Sequence, residues 1–289
     1  MRRSLSRWFP LFFLPTAAAF SIGFLYPFLS GLYLSFCRFI TLSDAKFIGF
    51  DNYKAVFTDA SFLYSFLFTT LFAVVAVVLI NLLAFAIAYF LTNGIRGATL
   101  FRTVFFMPNL IGGIVLGYIW KLIFDGILSR YGESLSLNPV YGFWGLIILF
   151  LWQQIGYMMI IYIAGLGSVP DDVYEAARID GAGSWQILKR ITIPMVMPSI
   201  TICTFLSLTG SFKLFDQNLA LTAGEPGMVG VGGKTVYLTE MLALNIYNTF
   251  YRNNNTRGVG QAKAVIFFLL VAVIALGQLY LTRRKEVAD

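Results

Sequence analysis

Apolar residues run along this chain in long unbroken blocks rather than in alternation. The blocks cover Leu11 to Phe36, Phe62 to Leu91, Thr103 to Phe124, Phe143 to Leu166, Met195 to Phe215 and Ala264 to Thr282. A helix rising about 1.5 Å per residue crosses a hydrocarbon core of about 30 Å with roughly 20 residues, so each block predicts a membrane-spanning helix with some tilt. Strands of a membrane barrel need only about ten residues and alternate apolar with polar positions, which these blocks do not. Six spans result. The first block follows three arginines, Arg2, Arg3 and Arg7, and holds Ala17, Ala18 and Ala19, as a cleaved signal peptide would. Its apolar character continues well beyond the roughly 7 to 15 residues of a signal core, so it reads as a retained span.

Composition agrees: of 289 residues 58% are hydrophobic and 12% charged, and the mean hydropathy is +0.76. A water-soluble globule carries nearer a quarter charged residues. The expected fold class is therefore an all-α integral membrane protein with one transmembrane domain over residues 1–289. An even number of spans puts both termini on one side, where Arg2, Arg3, Arg7, Arg283, Arg284 and Lys285 flank the membrane. Segments on that side carry basic residues at about twice the density of the opposite loops, which makes it cytoplasmic. The net charge of +7 is spread between spans, fitting anionic headgroups rather than nucleic acid. Lys121 and Lys213 fall near outer span ends, within snorkelling reach of the headgroups. Pro15, Pro27 and Pro108 each remove a backbone hydrogen bond within a span and predict kinks. Gly113 and Gly117 have the spacing that lets two helix backbones approach.

Few chemistries remain available. The chain has no histidine, which removes histidine ligands and general bases. Its two cysteines, Cys37 and Cys203, sit in or beside apolar runs and read as small hydrophobes. All 14 acidic residues fall outside the predicted spans, so no proton relay is evident. Neither catalytic nor metal-binding residues are expected. The stretch from Met228 to Thr235 superficially resembles a phosphate-binding loop, but Met228 stands where the first glycine belongs, and it reads as a glycine-rich turn. Uphill transport would then draw its energy through a loop and a partner.

The cytoplasmic loop 167–194 is the place to look. Ser168 with Asp171 three residues on, and Pro170 between them, is a helix-start signature, and Gly181 and Gly183 are stops. Between them Val173, Ala176, Ala177 and Asp180 share a weakly apolar face. A second short helix is expected from Ser184 to Arg190, with Pro194 closing the loop where the fifth span begins.

Glu175-Ala176-Ala177, then three residues, Gly181, nine residues, Ile191, one residue, Ile193 and Pro194 resembles the EAA loop, the cytoplasmic signature of membrane subunits in binding-protein-dependent ABC importers. Isoleucine at 193 replaces the usual leucine. Phe47 to Tyr53 after the first span and Phe215 to Thr222 after the fifth extend the likeness toward the carbohydrate branch, near maltose and glycerol-phosphate permeases with a short first outer loop. The resemblance implies a MetI-like core of six helices in the bacterial cytoplasmic membrane. It implies a second homologous permease, two ATPase subunits that bind ATP and magnesium, and an extracytoplasmic solute-binding protein, with no cofactor in this chain. Such a subunit is not an enzyme and moves a sugar or oligosaccharide by alternating access. By that resemblance Glu175, Ala176, Ala177, Asp180 and Gly181 are the coupling residues. A stand-alone ion-coupled or facilitative carrier is the alternative reading, and a membrane-embedded enzyme a third.

A sugar site needs hydrogen-bonding groups and aromatic rings within apolar helices. Trp152, Gln153, Gln154 and Tyr157 cluster in the fourth span, and Ser207 and Ser211 share a face of the fifth. Phe212, Asp216 and Asn218 stand at its outer rim. Packing between helices is the competing role for such amides and hydroxyls.

Overall fold

A computed structural model describes residues 11, 13–94, 96–230 and 235–283 of the chain. The arginines expected to flank the termini lie outside this set, except that Arg283 is the last residue described, at a helix end. Backbone packing groups the chain into two units, Met1–Asp59 with Ile246–Phe268 and Ala60–Asn245 with Leu269–Asp289.

The first unit opens with helix α1, Phe13–Leu34. Pro27 has no N–H to give to the turn before it, and the turn Ser21–Leu25 widens to a π-helix in which the Tyr26 N–H reaches back to Ser21. The predicted kink at Pro27 thus takes the form of a wide turn, while the helix continues through Pro15. After α1, strands β1 (Cys37–Arg38) and β2 (Lys46–Phe47) pair antiparallel, Cys37 opposite Phe47. Helix α2, Asp51–Phe57, follows. The Phe47–Tyr53 motif is a clip on the end of α1. Buried Asn52 donates both amide hydrogens, to Ser35 O and Cys37 O at 2.8 Å each, and Phe36 rests against Phe47, Phe50 and Tyr53. Asp44 accepts the N–H groups of Thr41 and Ile40, which hold its carboxyl below the ordinary carboxylate range.

The second unit is built on α3, Ala60–Thr92, and α6, Pro139–Leu166. Ala73, Ala76, Ile80, Ala84 and Ala88 form a buried stripe at three- and four-residue spacing on α3, small enough for α6 and α9 (Met197–Phe212) to lie close. Phe72, Phe150, Met158, Met159 and Tyr162 fill the core around it. The third predicted span is broken. Helix α4, Ala98–Phe106, ends in a 3₁₀ turn at Met107–Leu110 that contains Pro108, and α5, Gly113–Leu128, departs at 101°. The helix does more than kink, because the 3₁₀ turn that contains Pro108 is followed by extended backbone at Ile111 and Gly112. Helix α5 also runs past the expected end at Phe124, so Asp125 lies within a helix, where its carboxylate accepts the Leu135 N–H at 3.0 Å. Among the described residues, four helices are long and apolar enough to cross a membrane, or up to six if each of two bent pairs counts as one span.

Helix α7, Asp171–Ile179, and helix α8, Ser184–Met195, precede α9. Helix α10, Asp216–Leu221, leads to an antiparallel pair, β3 (Gly227–Val229) with β4 (Thr235–Tyr237), and then to α11, Leu242–Tyr251. These two strand pairs are the additions to the all-α expectation. The stretch Met228 to Thr235, predicted as a glycine-rich turn, has Met228 and Val229 in β3 and Thr235 in β4, and its residues 231–234 lie outside the described set. Helix α12, Arg257–Arg283, is the last element among the described residues.

Candidate functional site

The candidates in the loop 167–194 fold into a short helix with fixed ends. Pro170 is extended and ends the preceding turn, and Asp171 and Asp172 occupy the first turn of α7, where carboxylates suit the positive end of the helix dipole. Ser168 does not cap it. Its hydroxyl donates back to Gly165 O at 2.7 Å, because the turn Gly167–Ser168 still belongs to the end of α6. At the other end the Ala182 N–H donates to Ala177 O at 2.9 Å and the Gly181 N–H to Arg178 O at 3.1 Å. This paired closure needs a left-handed residue, and Gly181 supplies it with φ of 78°. Of the two predicted stops only Gly181 ends α7; Gly183 instead starts α8, donating its N–H to the Gln186 side chain at 3.0 Å.

Helix α8 does not end at Arg190. It passes through Pro194 to Met195, because the π turn Leu188–Thr192 lets the Ile193 N–H reach Leu188 O and leaves no donor required of Pro194. The bend of 68° into α9 falls at Val196 instead. Thr192 and Tyr174 approach within 3.4 Å and join α7 to α8.

Glu175 and Ala176 on α7 and Asp180 and Gly181 just past its end are exposed, and Ala177 is buried. The expected apolar face is therefore carried by Ala177 and half-buried Val173, while Ala176 and Asp180 stay outside it. Asp171, Tyr174, Glu175 and Arg178 line a cavity of about 630 Å³ whose other walls include Arg102 of α4 and Asn93. Arg102 carries no sequence signal beyond its charge.

The solute-site candidates divide between two surroundings. Trp152 is 42% and Tyr157 37% exposed on α6, and the Trp152 ring meets Trp120 of α5 edge-on at 5.5 Å. Gln154 is half-buried and Asp216 exposed at the start of α10. Gln153 is buried. Its amide donates to Ile111 O at 3.2 Å, at the break between α4 and α5, and accepts from Gln217 of α10 at 2.6 Å. Ser207 and Ser211 are buried and donate along α9 to Cys203 O and Ser207 O, each at 2.7 Å. Ser207 also accepts from Asn81 of α3 at 3.1 Å. Phe212 is buried, and Asn218 is committed to Thr239 O and the Met241 N–H. None of these residues lines the cavity beside α7.

Asn81 and Gln217 were not among the sequence candidates. An amide inside the long apolar run of α3 was the available signal for Asn81. The glycine pair is engaged as its spacing predicts. A Cβ on Gly113 would stand 2.8 Å from Asp216 Cβ, and one on Gly117 2.5 Å from Ala220 Cβ, so α10 lies against the bare backbone of α5. Lys121 is half-buried and Lys213 exposed, and both cysteines are free and buried.

Residues 93–287 match the family described as the binding-protein-dependent transport system inner membrane component. The chain is similar to the probable starch degradation products transport system permease protein AmyD of Thermoanaerobacterium thermosulfurigenes, 42% identical over 97% of this chain and 95% of that protein. It is 29% identical to the multiple sugar-binding transport system permease protein MsmF of Streptococcus mutans, over 99% of each. Among solved structures, a chain of a bacterial ABC transporter involved in the import of the acidic polysaccharide alginate superposes with a TM-score of 0.80 at 21% identity, covering 99% of both chains. At that identity the likeness speaks to the fold.

Proposed function

The chain belongs to the family of inner membrane components of binding-protein-dependent transport systems, and we propose that it is the permease subunit of an ATP-driven importer for a sugar or oligosaccharide. In this reading each bent helix pair is one crossing, giving a single transmembrane domain of six spans with both termini cytoplasmic. A second, similar permease completes the pathway. Two ATPase subunits hydrolyse ATP and dock on α7, and an external binding protein delivers the solute.

The observation that carries this reading is α7 itself, a short helix with both ends fixed that presents Glu175 to solvent at the EAA spacing. Its chain neighbours are the helices of the proposed pathway: α6 carries Trp152 and Tyr157, and α8 leads through the bend at Val196 into α9. A displacement of α7 by a partner can therefore change the angle between α8 and α9, as alternating access requires. Glu175, Ala176, Ala177, Asp180 and Gly181 are the proposed contact.

For the solute, Trp152 and Tyr157 offer exposed aromatic faces on which an apolar sugar face can rest, with Gln154 and Asp216 as hydrogen-bonding groups. Gln153, Ser207, Ser211 and Phe212 support the same region from buried positions. The names of the similar permeases make starch-derived oligosaccharides the first probes to use. Reconstituted complex should import such a probe only with ATP, both ATPases and binding protein present.

A further inference from the structure

Arg102 projects from α4 into the cavity beside α7, and its Nε is out of contact with solvent without a hydrogen-bond partner. Among the described residues no ion pair involves it. A buried N–H without an acceptor bears a desolvation cost, here at the Nε of a half-buried side chain. The opposite wall is acidic in part. Helix α7 turns Asp171, Tyr174, Glu175 and Arg178 toward the cavity, positions that fall on one helix face. A volume of about 630 Å³ separates the walls, large enough for the helix to move inward.

We propose that Arg102 is a positioning residue for transport: in a second arrangement of the loop 167–194 its guanidinium pairs with the Asp171 carboxylate, closing the cavity and clamping α7 to α4. Asp171 is favoured over Glu175 by its place in the chain. The stretch Leu166, Gly167, Val169 and Asp171 lines the cavity continuously from the end of α6, against which α4 packs. Glu175 stands a turn further on, with Arg178 three residues away on the same helix. A bidentate pair formed in this enclosed space would stabilise the closed arrangement, while the open one leaves the Nε–H without an acceptor. The inference rests on the reading of α7 as the ATPase contact, since the clamp is what would carry its motion into the membrane helices.

The test is a charge exchange in the assembled complex, read as solute uptake per ATP hydrolysed in vesicles. Arg102→Glu and Asp171→Arg should each lower that ratio about tenfold at unchanged complex yield, and the double variant should return it to within about threefold. Arg102→Lys should retain most of the coupling. No recovery in the double variant, or recovery with Glu175→Arg in place of Asp171→Arg, overturns the proposal. Should the charge variants fail to assemble, an Arg102→Cys, Asp171→Cys pair bridged by a short bismaleimide gives a second reading. Its yield should differ between nucleotide-free and ATP-bound complex, and equal yields overturn the clamp. Undiminished ATPase copurification and uptake with Glu175→Lys would remove the docking reading separately, without bearing on either result.

Discussion

Tyr162 on α6 donates its hydroxyl hydrogen to Asn81 Oδ1 on α3 at 2.6 Å, and the same amide donates at 3.1 Å to Ser207 on α9. One side chain thus ties together three helices that also share a buried apolar core. Such bonds between membrane helices contribute about 0.6 kcal/mol on average and up to about 1.7 kcal/mol. Tyr162→Phe should lower the unfolding free energy of the solubilised protein within that range. Asn81→Leu removes the partner of both hydroxyl groups and should cost more, about 2 kcal/mol. Equal stability of Asn81→Leu and the parent protein in a denaturant titration would show that the amide does not join the helices.

Gly156 on α6 lies against the backbone of Phe105 on α4, and a Cβ there would overlap the Phe105 carbonyl. Gly156→Ala should therefore unseat α4 and reduce the yield of folded protein severely. Gly112→Ala, where a Cβ meets nothing within 4 Å, is the matched control and should express normally. Normal yield and thermal stability of Gly156→Ala would contradict the α4–α6 packing.

Lys263 is 1% exposed, paired with Asp59 at 2.7 Å and bonded to Thr249 Oγ1 at 2.8 Å. Breaking a buried pair from one side commonly costs about 3–5 kcal/mol, because the remaining charge is left in a poor solvent. Asp59→Ala should approach that cost, and Asp59→Ala with Lys263→Met should recover part of it. A double variant as unstable as the single one, measured by thermal denaturation in detergent, would count against the pair as the cause.

The two surroundings of the solute-site candidates predict different phenotypes. Trp152→Ala, on an exposed ring, should raise the half-saturating solute concentration about tenfold, the effect of losing about 1.4 kcal/mol of apolar contact, and leave complex yield unchanged. Ser211→Ala, which removes a buried bond along its own helix, should shift thermal stability slightly. Loss of assembly with Trp152→Ala would instead assign the ring to packing against Trp120.

How much of this was legible in the sequence differs from element to element. The blocks Phe62–Leu91 and Phe143–Leu166 locate α3 and α6 within a few residues, because a long apolar run can satisfy its backbone in a membrane only as a helix. The 101° break between α4 and α5 was not legible. Pro108 announces a missing hydrogen bond, but the bend itself lies in extended Ile111 and Gly112, where the Gln153 amide meets Ile111 O, a contact between distant parts of the chain. Gly181 was readable as a helix stop because left-handed backbone favours glycine wherever it occurs. The roles of Asn81 and Arg102 were not, since a lone polar residue gives no indication of what will face it. For Ser207 and Ser211 the spacing placed both on one face, and only tertiary structure could say that the face is buried.

The central claim is that this chain is a pathway driven from outside itself, through α7. Vesicles should be prepared with the permease pair, both ATPases and the binding protein, and uptake of a radiolabelled starch-derived oligosaccharide followed with and without ATP, using parent chain and Glu175→Lys. The account predicts concentrative uptake only in the complete, ATP-supplied parent system, with Glu175→Lys inserted normally but inactive. Accumulation against a gradient by vesicles containing this chain alone would contradict it.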